Sequence, residues 1–60
     1  MTAEILIVDD NVDIRNILND LISDYGFKTR VAANYNQALS EIDKKLPDVA
    51  ILDVKLDKGD

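Results

Sequence analysis

The chain has 60 residues, 47% of them hydrophobic and 32% charged, with a net charge of −5. That balance describes a globular segment rather than a disordered one, and its sign argues against nonspecific attraction to nucleic acid or an anionic membrane. Cysteine and histidine are both absent, which excludes a disulfide framework, a thiolate zinc site and an imidazole acting as base or ligand.

The opening stretch Ile5-Leu6-Ile7-Val8-Asp9-Asp10 runs four apolar residues into two adjacent carboxylates. The apolar run predicts a strand buried on both faces, as in a parallel sheet. The carboxylates cannot share that burial unless they are paired or bind a cation. Asn11 is a good N-cap for a helix beginning at Val12, and Asp13 in its first turn favours the helix dipole. Ile14, Ile17, Leu18, Leu21, Ile22 and Tyr25 recur at helical spacing as one apolar face, with Arg15, Asn16, Asn19, Asp20, Ser23 and Asp24 on the polar face. Gly26 follows as the expected C′ residue, free to take positive φ.

Residues 27–32 begin by alternating apolar and polar side chains, predicting an edge strand with one exposed face. Asn34 and Gln37 form a capping-box-like pair. Tyr35, Ala38, Leu39, Ile42 and Leu46 fall on one face of the second helix, and Glu41, Lys44 and Lys45 on the other. Glu41 and Lys45 stand at a favourable i,i+4 spacing, and Pro47 stops the helix. Residues 48–53 repeat the opening design, an apolar run ending in the carboxylate of Asp53. Val54 to Asp60 is polar and reads as a loop. Tyr25, Phe27 and Tyr35 are expected to pack in or beside the core, and Lys44, Lys45, Asp20 and Asp24 to form a solvated face.

A β-α-β-α-β order implies a parallel sheet with crossover helices, an α/β architecture. Two helices and three strands cover such a sheet poorly, so residues 1–60 read as the N-terminal part of a larger domain that starts at Met1. In open α/β sheets ligands bind beyond the carboxyl ends of the strands, where strand order reverses. With the first strand central and the third beside it, Asp9, Asp10 and Asp53 converge at one rim. Mutual repulsion of three carboxylates is offset by a hard divalent cation, and Mg²⁺ takes oxygen ligands. Such a cation can also bridge to a phosphoryl group, with one carboxylate as the nucleophile. A single strand-end aspartate would be structural, a turn former or cap. The Asp9-Asp10 pair joined to Asp53 in this context favours the functional reading.

The motifs Ile5-Leu6-Ile7-Val8-Asp9-Asp10-Asn11-Val12-Asp13-Ile14-Arg15, Tyr25-Gly26-Phe27, Ala32-Ala33-Asn34, Gln37-Ala38-Leu39, Pro47-Asp48 and Ile51-Leu52-Asp53 closely resemble the receiver domain of two-component response regulators. The resemblance covers the whole chain and about the first half of a receiver. It implies a partial flavodoxin-like (CheY-like) parallel sheet of the doubly wound type. It implies that Asp53 is the phospho-acceptor, that Asp10 ligates Mg²⁺ directly, and that Asp9 does so directly or through water. The third protein ligand would be the backbone carbonyl of Lys55. The partner implied is a sensor histidine kinase. A receiver homodimer is open to the full-length protein, and contact with nucleic acid would come only through an output domain outside these residues. Where the family usually has proline, four residues after the acceptor, this chain has Asp57. The family's signalling hydroxyl, its phosphoryl-pairing lysine and its switch aromatic would lie beyond residue 60.

Three competing readings are weaker. A phosphohydrolase of the haloacid-dehalogenase-like kind needs an aspartate two residues after its nucleophile, but Asn11 follows Asp9 and Val12 follows Asp10 at that spacing. A dinucleotide-binding start would need a glycine-rich turn after the first strand. The 60 residues could also act as they stand, as an interaction module without phosphotransfer, but their third strand would then present an unpaired edge. The expectation is a phosphorelay component rather than an enzyme. No apolar run reaches transmembrane length and no signal-peptide pattern opens the chain, so the expected location is the cytoplasm.

Overall fold

A computed structural model describes residues 2–53, with residue 53 described through its backbone alone. The chain runs β1 (Glu4–Asp9), α1 (Val12–Asp24), β2 (Lys28–Ala32), α2 (Tyr35–Lys44) and β3 (Val49–Asp53). The strands form one parallel sheet in the order β2-β1-β3. This is a partial CheY-like fold of the α/β class, as the residue pattern predicts. The loop expected over residues 54–60 lies outside the described residues.

β1 is central because its sequence tolerates burial on both faces. Ile5, Leu6, Ile7 and Val8 are all buried. Side chains alternate across a strand, so Leu6 and Val8 share one face, where they pack with Ala32 of β2 and Ala38 and Ile42 of α2. Ile5 turns to the other face, beside Leu21 and Ile22 of α1. β3 carries a similar apolar run but lies at the edge, and its Val49 and Leu52 are exposed.

The helix ends follow local chemistry. Asn11 caps α1, its side chain accepting the N–H groups of Asp13 at 2.9 Å and Ile14 at 3.2 Å. Gly26 closes α1 with φ +93° while its N–H donates to the Ser23 carbonyl at 2.9 Å. Asn34 caps α2 by accepting the Gln37 N–H at 2.8 Å. Gln37 reaches back one residue further than a capping box requires, accepting from the N–H of Ala33 rather than that of Asn34.

Several surface expectations are corrected. α2 ends at Lys44, so Leu46 leaves the helical face and is exposed. The apolar face of α1 is only half covered: Leu18 and Ile22 are partly buried, whereas Ile17 is 63% exposed, because three strands offer too little sheet beneath it. Of the aromatics expected in the core or half-exposed beside it, Phe27 is half-exposed against Ile5, Leu21 and Ile22, whereas Tyr25 and Tyr35 are largely exposed. Asn19 and Ser23 of the polar face meet Thr29 of β2, whose hydroxyl donates to Asn19 Oδ1.

Arg30 departs most from the expected exposed strand face. It lies opposite Leu6 in the sheet and therefore under α2. Its guanidinium donates to the Glu41 carbonyl at 2.8 Å, Glu41 Oε1 at 3.2 Å and the Lys45 carbonyl at 2.6 Å. A cation at these carbonyls suits the negative end of the helix dipole. Arg30 Nε also stands 3.2 Å from Glu4 Oε2, and Lys45 Nζ 3.6 Å from Glu4 Oε1; these are charge contacts without aligned hydrogen bonds. Glu41 pairs with Lys44, at i+3, while Lys45 turns to Glu4.

The bonded ammonium of Lys44 and guanidinium of Arg30 hold the Glu41 carboxyl below its ordinary value of 4.5. A depressed carboxyl stabilises the fold above its unfolded value, and that contribution is lost as pH falls through the folded value. Glu41→Gln in the full-length protein should therefore lower the thermal midpoint at neutral pH. The gap between variant and parent should close as pH drops below 4.5, as read by unfolding scans across pH.

Candidate functional site

The carboxyl end of β1 lies where the chain order reverses, with β2 on one side and β3 on the other. In such sheets this is the place left open for a ligand. Asp9 closes β1 and is only 2% exposed, while Asp10 immediately after it is exposed. Asp9 Oδ1 accepts the N–H of Asn11 at 2.9 Å. Asp9 Oδ2 is buried and has no hydrogen-bond partner among the described residues. A buried carboxylate oxygen with no donor facing it is costly and calls for explanation, an ion being one.

Parallel pairing of β1 with β3 runs from Ile5↔Val49 to Asp9↔Asp53. Neighbouring strands lie about 4.8 Å apart, so the register sets the backbone of Asp53 directly beside that of Asp9. The side chain of Asp53 and all of Lys55 lie outside the described residues. Among the described residues, no group of three carboxylates stands close enough to hold a metal ion. Of the predicted site residues, then, Asp9 and Asp10 share the rim of β1 and Asp53 joins them through strand register. The open Asp9 oxygen and the exposed Asp10 carboxylate are hard oxygen donors, a chemistry that fits Mg²⁺ better than a softer metal.

The roles of two residues, one at this rim and one at the opposite end of the same strand pair, escape sequence reasoning. Arg15, on the first turns of α1, donates from Nη1 to the Asp9 carbonyl at 3.1 Å. Asp48 precedes β3 and bonds Glu4 reciprocally. The Glu4 N–H donates to Asp48 Oδ2 at 2.7 Å, and the Asp48 N–H donates to the Glu4 carbonyl at 2.8 Å. The available signal for Arg15 was a cation at the positive end of a helix; for Asp48 it was a short acidic side chain at a strand's entry.

A parallel β-α-β-α-β unit with paired acidic residues at its switch point is the arrangement expected of a two-component signalling module. The chain is a member of the response regulator receiver domain family, whose pattern matches residues 5–60. It is 45% identical over 56 residues to sporulation initiation phosphotransferase F of Bacillus subtilis, covering 93% of this chain and 45% of that protein. It is 47% identical over 53 residues to a putative NtrX-like response regulator of Rickettsia bellii, covering 88% of this chain and 11% of that protein. The crystal structure of NtrX from Brucella abortus matches with a TM-score of 0.80 at 37% identity, over 95% of this chain and 14% of that one. The chain thus spans less than half the length of each of these relatives. Receiver domains characteristically bind Mg²⁺ at their phosphorylation site and partner with histidine kinases. No helix among the described residues is long and apolar enough to cross a membrane.

The unpartnered oxygen of Asp9 makes a direct prediction. Asp9→Asn keeps an acceptor for the Asn11 N–H and removes a buried charge. In metal-free full-length protein it should stabilise the domain by about 1 kcal/mol, and Mg²⁺ should no longer raise the thermal midpoint. Calorimetric scans with and without Mg²⁺ measure both.

Proposed function

We propose that this chain supplies the acidic part of a receiver's phospho-acceptor site, with Asp53 accepting a phosphoryl group from the phosphohistidine of a sensor histidine kinase. The single observation that supports it is the buried, unpartnered Asp9 oxygen on the strand that pairs Asp9 with Asp53. In this reading Asp9 and Asp10, with Asp53 and the backbone carbonyl of Lys55, hold Mg²⁺. When bound, the cation offsets the charge of the phosphoryl oxygens during in-line transfer.

The chain's own residues do the rest. An Asp53 carboxylate oxygen bonds to phosphorus as the bond to the kinase imidazole nitrogen breaks, leaving an acyl phosphate on Asp53 and the imidazole on the kinase. A carboxylate is already deprotonated at neutral pH, so the step needs no general base. The Asn11 N–H fixes one Asp9 oxygen, and among the described residues the other has no partner.

Residues 1–60 form the N-terminal part of the receiver in this reading, and the protein is a cytoplasmic signalling component rather than an enzyme with its own turnover. The acyl phosphate biases a two-state element and, through it, an output. Receiver dimerisation in the full-length protein and nucleic-acid contact through an output domain are downstream of that event. The test is phosphoryl incorporation from the cognate kinase into full-length protein. Asp53→Asn should abolish base-labile, hydroxylamine-labile labelling, and removal of Mg²⁺ should suppress it in the parent. Equal incorporation into parent and Asp53→Asn would overturn the assignment.

A further inference from the structure

We propose that Arg15 is a positioning residue for the paired carboxylates at the end of β1, acting on the peptide that joins them. This rests on the function proposed above, and it begins from an electrostatic anomaly. Asn11 is the N-cap of α1, so Arg15 is the fourth residue of that helix. A cation there opposes the positive end of the helix dipole. Three carboxylates, Asp9, Asp10 and Asp13, lie close by in sequence. Yet among the described residues the half-buried guanidinium pairs with none of them and donates instead to the Asp9 carbonyl at 3.1 Å.

That carbonyl belongs to the Asp9–Asp10 peptide. The peptide group is planar, so a bond that fixes its carbonyl fixes the direction in which both residues leave it. Asp9 is then held at two points beyond the sheet ladder, its carbonyl by Arg15 and its Oδ1 by the Asn11 N–H. Among the described residues, the polar atom of its side chain left without a partner is Oδ2. Both restraints come from the opening of α1, so the start of the helix and the end of β1 form one rigid corner. Partners that orient a ligating carboxylate without touching the ion commonly change affinity by an order of magnitude or more.

The sign of the effect separates positioning from simple charge. Through its charge alone Arg15 repels a cation, so its removal would tighten Mg²⁺ binding. Through positioning, its removal weakens binding. Mg²⁺ is titrated calorimetrically into the full-length parent, Arg15→Met, Arg15→Gln and Arg15→Lys, and amide exchange of Asn11 is followed in the metal-free proteins. The expected result is about tenfold weaker Mg²⁺ binding and faster Asn11 exchange in the Met variant, with partial recovery of both by Lys. Should the Met variant fail to fold, the Gln variant carries the same comparison. Unchanged or tighter binding in a folded variant, beside normal binding in the parent, overturns the role of Arg15 alone. Absence of saturable Mg²⁺ binding in the parent overturns the proposed function and this inference with it.

Discussion

The constraint on which the candidate site depends is a buried carboxylate oxygen that no donor faces among the described residues. Asp9 is placed there by β1, which is buried on both faces and cannot end in solvent until one residue later. An interior of low polarizability penalises an unpaired ionised oxygen heavily. The Asn11 N–H takes one oxygen of Asp9, and no other described residue takes the second. Receiver domains characteristically bind Mg²⁺ at their phosphorylation site, and in the reading proposed above this oxygen is where ligand binding and folding stability meet.

The opposite end of the sheet is treated differently. There Glu4, Glu41, Arg30, Lys44 and Lys45 form a network in which carboxylates and cations meet within 3.6 Å. Arg30 ties β2 to the last carbonyls of α2 and stands against Glu4 of β1. Its bonds to carbonyl groups give it directional value that an exposed ion pair lacks. Among the described residues, then, ion pairs gather toward the strand-entry end, and none is made by Asp9 or Asp10 at the candidate site.

Much of the fold was legible because its signals are local. Asn11, Gly26 and Asn34 mark helix boundaries through the chemistry of their own side chains or backbone, and the structure uses each as expected. The run Ile5–Val8 announced a strand buried on both faces. Arg30 could not be read this way: alternation places it on one face of β2, but only the sheet order reveals that α2 covers that face. Lys45 is exposed as expected, but its partner escapes the sequence for the same reason, since Glu4 is far in sequence and near in space. The acidic site was legible as residue types at strand ends. The carbonyl contact of Arg15 was not, because a backbone acceptor leaves no mark in a side-chain pattern.

The reciprocal bonds between Glu4 and Asp48 bear on how the site assembles. They stand at the entry of the two strands, one residue before the ladder that begins with Ile5 opposite Val49. Parallel pairing closes a long loop, and such closures are slow steps in folding. A pair of bonds at the entry works like the slider of a zip fastener: it favours this alignment of the two strands over its neighbours. A slip of one residue would invert the faces of β3 and carry Asp53 away from Asp9. Fidelity at the reactive end is thus set some five residues upstream, at a contact that takes no part in the chemistry.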